Sequence, residues 1–265
     1  NAEDHPRLAI LTDIGGDPDD QQSMVRLMVY SREFEIEALI ASASGTPDEL
    51  DVSTVRPDLI RQIIRAYQEV LPNLQRHAKG WPSPAHLLSA VKSGNPHRKN
   101  DFIGEGHDTE ASRFLIERID SGSEHRPLNI CIWGGQTDLA QALWRVKKDR
   151  GVHELADLVK KFRVHDIDDQ DGIASWMRAE FPGMYYILDK AHDGQDKRMG
   201  VYRGQLACEA CAAGSITNTG VDPGASTCML CRAGKYSTAS NVAACSSCPA
   251  GKYAASDGSA ACDDC

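Results

Sequence analysis

For most of its length this chain has almost no cysteine. Residues 1–207 hold Cys131 alone, and residues 208–265 hold the other eight. No apolar run approaches the roughly 18 residues a helix needs to cross a bilayer, so the sequence offers no membrane span. Basic charge is short as well. Lys and Arg number 29 against 38 Asp and Glu, for a net charge of −9 and a pI near 5.5. That balance argues against nucleic acid held through its phosphates. No Asn-x-Ser/Thr acceptor occurs, so N-glycosylation is not expected. Position 1 is not Met and no signal-peptide pattern opens the chain, which is therefore read as a processed product or a fragment.

What is present centres on Arg7 to Tyr30, RLAILTDIGGDPDDQQSMVRLMVY. Leu8–Leu11 reads as a short buried strand. From Gln21 the apolar positions Met24, Val25, Leu27 and Met28 fall at helical spacing. Between them lie Thr12, Asp13, a Gly-Gly pair, then Asp17, Asp19 and Asp20. Four carboxylates in eight residues repel one another, so burying them needs a cation or strong hydrogen bonds. Hard oxygen ligands of this type suit calcium or magnesium. One or two of these residues also suit plain helix capping.

The turn TDIGGDPDD resembles the aspartate fingerprint of the nucleoside hydrolases, calcium-dependent enzymes that cleave N-glycosidic bonds of ribonucleosides. The wording GGDPDDQQSMVR is closer to a nucleoside-hydrolase-like branch found in bacterial proteins described as cellulose-binding. Gly104–Asp120, Arg126–Trp144 and Asp169–Ile187 continue that resemblance over about residues 5 to 190. It implies a calcium held by Asp13, Asp20 and the Thr137 carbonyl, with Asp13 also the general base. It implies Asp19 on a sugar hydroxyl and Asp169, Gln170 and Asp171 as sugar contacts. Asp17 falls in the variable slot of the motif. Two departures stand out. Leu11 replaces an Asp common two residues before the base. The late calcium ligand of those enzymes is also missing, with His192-Asp193 the nearest pair of that type.

Further along, Phe34–Ala43 reads as a strand, followed by a small-residue loop that puts Thr46 at the same sheet edge as Asp13. Asp58–Val70 reads as an amphipathic helix stopped by Leu71-Pro72, and Ala85–Val91 as a short helix. The polar loop 93–107 carries His97, Glu105 and His107, each a site candidate or simply solvated. Asp108–Ile119 is expected to be a helix with Asp108 or Thr109 as cap. Leu128–Trp133 is a buried strand ending in Gly134-Gly135-Gln136-Thr137, with a helix to about Lys148. There Asp138 is either a helix cap or part of a site. Phe162–Ile167 is a strand ending in acidic residues, Trp176 and Met177 begin a helix, and Met184–Leu188 is a last strand. Alternating strands and helices predict an α/β fold, a mainly parallel sheet with helices on both faces. Its acidic turns would meet at the C-terminal edge, where open sheets bind ligands.

A first domain at 1–203 and a cysteine-rich tail at 204–265 follow from the cysteine split. The tail's Cys-x-x-Cys pairs recur every 17 residues from Cys228, with repeated Ala-Gly-Lys-Tyr. It has too few large apolar residues for a core and needs disulfides or zinc, of which disulfides are favoured. The repeats resemble ephrin-receptor and tumour-necrosis-factor-receptor types. That likeness implies the pairs Cys211–Cys228, Cys231–Cys245 and Cys248–Cys262. Disulfides predict an extracellular or cell-surface location. Three functions fit: a calcium-dependent N-glycosyl hydrolase, a carbohydrate-binding protein on the same fold, or a receptor-like protein with an extracellular protein partner on its repeats.

Overall fold

The computed structural model describes residues 5–16, 19–44 and 54–189. In the tail it describes residues 215–217, 228–231, 233, 235–236, 245–249, 252–256 and 259–264. Contacts divide the chain into two compact units, Asn1–Lys190 and Ala191–Cys265. Asp17, Thr46, Cys208, Cys211, His192 and Asp193 lie outside the described residues.

The first unit runs β1 (Arg7–Thr12), α1 (Asp19–Tyr30), β2 (Glu35–Ala41), β3 (Ala43–Ser44), β4 (Thr54–Val55), α2 (Pro57–His77), α3 (Pro84–Ala90), β5 (Val91–Ser93), α4 (Glu110–Asp120), β6 (Leu128–Ile132), α5 (Thr137–Leu158), β7 (Phe162–Ile167), α6 (Ala174–Glu180) and β8 (Tyr185–Asp189). Six strands form one sheet in the order β5-β2-β1-β6-β7-β8, and every pairing in it is parallel. The α/β expectation therefore holds.

The reason is visible in strand alternation. On β1, Ala9 and Leu11 join one apolar cluster while Leu8 and Ile10 join another. On β2, Ala38 and Ile40 face the first cluster, and Ile36, Leu39 and Ala41 the second. A strand buried on both faces needs apolar residues at nearly every position, which is the pattern of a covered parallel sheet. Residues of α4, α5 and α6 fill the first core; those of α1, α2 and α3 fill the second.

Three local expectations are corrected, and a fourth is refined. Helix α2 does not stop at Pro72 but continues to His77. Leu71 and Leu74 pack on the second core, and Trp81 Nε1 donates to the Leu74 carbonyl at 3.1 Å. Those contacts outweigh the proline's missing N–H. Helix α5 breaks at Gly151, close to the end expected at about Lys148. Its φ of +86° and ψ of 173° leave the helix, and only glycine adopts that φ easily; a second helical segment runs on to Leu158. The strand expected at Phe34–Ala43 is split: β2 ends at Ala41, and Ala43–Ser44 pairs instead antiparallel with Thr54–Val55. Strand β5 was not foreseen; three residues are too few to show a period.

Cys131 on β6 is a partly buried free thiol whose pKa burial pushes up to about 11, so it behaves as a small hydrophobe. In the second unit Ser215–Thr217 pairs antiparallel with Cys228–Leu230, Lys235–Tyr236 with Ser246–Ser247, and Lys252–Tyr253 with Asp263–Asp264. Cys231–Cys245 and Cys248–Cys262 are disulfides, as the repeat resemblance implied. Each clamps one short hairpin of the 17-residue repeat. The Cys211–Cys228 pairing lies outside the described residues.

Candidate functional site

From β1 the chain steps outward to β2 and β5, then returns to β6 on the other side of β1. The switch point lies between β1 and β6. In open parallel sheets the loops leaving such a pair of strands diverge and open a crevice. Here those loops are Asp13–Gly16 and Trp133–Gln136.

Two hydrogen bonds hold the second loop against β1 and the end of β2. Trp133 N donates to the Leu11 carbonyl at 2.8 Å, and Ser42 Oγ donates to the Gly134 carbonyl at 2.8 Å. Gly134 and Gly135 are needed for this approach. A Cβ on Gly134 would sit inside contact distance of the Asp13 carboxyl, and one on Gly135, at φ +89°, would collide with the Ser42 side chain.

Asp13 lies at the rim, its side chain 13% exposed. Its carboxyl lies within hydrogen-bonding reach of Asp20, which is buried and accepts from Thr12 Oγ1. Burial raises the Asp13 carboxyl above its ordinary range, against the lowering effect of Arg98. Asp20 is raised well above that range, first by burial and then by the charge of Asp13. Asp19, half-buried in the first turn of α1, accepts from Asp20 N at 2.8 Å.

Arg98 was not foreseen. It sits in the loop between β5 and α4, and its side chain is only 8% exposed. Its Nη2 donates to Asp13 Oδ2 at 2.9 Å and to the Ala43 carbonyl at 2.6 Å. Its Nε stands 3.7 Å from Asp171 Oδ1. The next residue, Lys99, adopts φ +84°, and its N–H donates to Thr137 Oγ1 at 3.1 Å. The strained residue and this bond fix the loop that delivers the guanidinium. No periodicity or motif marks such a residue. The loop's other candidates point elsewhere. His97 stacks on Phe102 at 4.5 Å, His107 meets the same ring edge-on at 6.1 Å, and Glu105 is at the surface with Lys148 and Arg145.

The far wall comes from β7. Thr137, the first residue of α5, donates to Asp171 Oδ2 through its N–H at 2.9 Å and its hydroxyl at 2.6 Å. Gln136 Nε2 donates to Asp166 Oδ2 at 2.9 Å and to Asp169 Oδ1 at 2.8 Å, while its Oε1 accepts from Asp171 N at 2.9 Å. Asp169 Oδ1 also accepts from Ala174 N at 2.8 Å, at the start of α6. Gln170 Nε2 donates to the Trp133 carbonyl. Asp168 and Asp169 hold φ of +68° and +52°, the left-handed region that aspartate tolerates better than most residues. Asp138 is not the cap of α5. It is buried, accepting from Asn95 N at 3.0 and 3.1 Å and from Thr109 Oγ1 at 2.6 Å, and so ties α4 and its loop to α5.

The structure thus brings Asp13, Asp20, Thr137 and Asp171 to one crevice, with Asp169 and Gln170 in its wall. A calcium ion held by Asp13, Asp20 and the Thr137 carbonyl would have to displace the Arg98 guanidinium. The outer oxygen of Asp13 is taken by a guanidinium and Asp20 is bonded to Thr12. Among the described residues, which exclude Asp17, no three His, Cys, Asp or Glu side chains converge as a metal group.

Burial also gives the domain a pH dependence. It pushes Asp166 up to about 7, partly offset by the Tyr186 hydroxyl bonded at 2.6 Å, and Asp138 up to about 6, partly offset by Thr109. The folded state therefore holds these protons more tightly than the unfolded chain. Their contribution is full at low pH and is lost as pH rises through 6 to 7. Unfolding free energy from urea denaturation should fall by about 4 kcal/mol between pH 5 and pH 8. Asp166→Asn should remove more than half of that slope.

This sheet order and crevice define the nucleoside-hydrolase-like class of α/β domain. Within it the chain belongs to the family described as cellulose-binding Sde182, nucleoside hydrolase-like domain, whose model matches residues 7–222, past the boundary expected near 203. It is similar to a solved structure described as a nucleoside hydrolase-related hypothetical protein from Saccharophagus degradans that is associated with carbohydrate metabolism. The identity is 34% and the TM-score 0.63, over 68% of this chain and 43% of that one. The chain thus spans under half the length of that relative. No curated protein matches it.

Proposed function

We propose that the first unit is a carbohydrate-binding domain that takes a sugar in the crevice between β1 and β6. The observation that carries this reading is the pairing of Asp13 with Arg98 at the rim. An acidic crevice already holding its own cation presents carboxylate acceptors and guanidinium donors at once. That combination suits a neutral ligand rich in hydroxyls, each both donor and acceptor. The family's description as cellulose-binding and the relative's association with carbohydrate metabolism point the same way. The disulfide-bonded repeats fit an extracellular or surface setting, where such polymers are met, and leave room for a protein partner there.

Calorimetric titration with cello-oligosaccharides, in chelator, tests the proposal. Wild type should bind. Asp13→Asn keeps the shape but loses the ion pair, and should weaken binding about tenfold, the size of one charged hydrogen bond. Binding unchanged in Asp13→Asn would move the ligand out of this crevice. A second reading, the calcium-dependent N-glycosyl hydrolase acting on nucleosides, draws on the meeting of Asp13 and Asp20 at the switch point. Release of free ribose that needs calcium and disappears in Asp13→Asn would establish it over binding alone.

A further inference from the structure

Arg98 brings a guanidinium into an otherwise acidic crevice. Its side chain is more than nine-tenths buried, and its Nε and Nη1 have no hydrogen-bond partner. Asp171 Oδ1, 3.7 Å from that Nε, is likewise buried without a hydrogen bond. An arginine cannot shed its charge, so it enters a buried site only against carboxylates that balance it. Asp13 and Asp171 supply that balance from β1 and β7, on opposite sides of β6.

From this placement we propose that Arg98 is the resident cation of the crevice, standing in for a divalent metal. Its single charge lies between Asp13 and Asp171, and the wild-type site therefore needs no calcium. Removing the guanidinium leaves Asp13, with Asp20 beside it, and Asp171 without their counter-charge. Asp13 Oδ2 and Asp171 Oδ1, the two oxygens the guanidinium faced, are then hard donors left without a cation. Arg98→Ala should therefore convert the crevice into a calcium site that Asp13→Asn destroys.

The test uses the full 265-residue chain, wild type, Arg98→Ala and Arg98→Ala/Asp13→Asn, by calcium calorimetry and thermal denaturation. In wild type, millimolar calcium should leave the melting temperature unmoved. Arg98→Ala should melt below wild type in chelator and recover in calcium, and should bind the ion at least about tenfold tighter than wild type. The double variant should lose both the binding and the recovery. A calcium site in wild type that Asp13→Asn abolishes overturns the proposal, as does Arg98→Ala binding calcium no better than wild type. Should Arg98→Ala fail to fold in either condition, Arg98→Gln, closer in size, carries the same comparison. No sugar enters these measurements, so their failure leaves the carbohydrate reading standing.

Discussion

Gly134→Ala is expected to lower the unfolding free energy by about 3 kcal/mol and to remove ligand binding, although it adds a single methyl group. Gly134 has no unusual φ, so alanine meets no backbone strain there. The cost comes from what lies opposite. The added Cβ would press on the carboxyl carbon of Asp13 and on both of its oxygens, the farther at 2.6 Å. Asp13 has nowhere to go, because Arg98 holds one oxygen and Asp20 crowds the group from α1. Moving it would break a buried ion pair and leave Arg98 with its charge uncompensated. A double-mutant cycle identifies the mechanism. Asp13→Ala clears the space, so adding Gly134→Ala to it should cost much less than adding it to wild type. Urea midpoints of the four proteins measure this directly. Additive losses would mean that the methyl disturbs the loop for some other reason.

The same contact explains what the sequence could reveal. The strand-turn-helix units at residues 7–30 and 128–148 were legible because buried strands, glycine pairs and helical spacing leave local marks. The two glycine turns face each other for the reason that places Asp13 beside Gly134, and the parallel sheet follows from strands apolar on both sides. Arg98 left no such mark. Its loop reads as polar and solvated, and only the φ of Lys99 with its bond to Thr137 turns it inward. Asp138, open in the sequence between a cap and a site residue, is decided in the same way. Its place just inside α5 matches a cap, yet Thr109 and Asn95, 29 and 43 residues away, claim the side chain. Local pattern carries the elements; partners far apart in sequence decide what each charged residue does.

Arg7 shows the opposite pole of the domain, and Arg7→Met is expected to cost about 3–5 kcal/mol while leaving binding by the folded protein unchanged. Arg7 opens β1, at the end of the sheet away from the crevice, and is 2% exposed. Its Nε and Nη2 engage both oxygens of Glu37 on β2, the second at 2.8 Å. Nη2 also reaches the Arg118 carbonyl in the last turn of α4 and Ser121 Oγ at 2.9 Å, and Nη1 reaches the Arg126 carbonyl at 3.3 Å. One guanidinium therefore ties β2, the C-terminal end of α4 and the approach to β6 to the first strand. A cation at a helix C-terminus also meets the negative end of its dipole. Gly122 is small because a Cβ there would strike the guanidinium, with Cζ 2.9 Å away. Methionine matches the length of the stem but strands the Glu37 carboxylate, which is 9% exposed, without a partner. Arg7→Met/Glu37→Leu should recover most of the loss, because the penalty lies in the orphaned charge rather than in the missing attraction. By contrast the neighbouring Arg126–Glu35 pair, more than a third exposed, should cost under about 1 kcal/mol when broken. If the double variant were as unstable as Arg7→Met alone, the carbonyls of Arg118 and Arg126 would be the partners that matter at this pole.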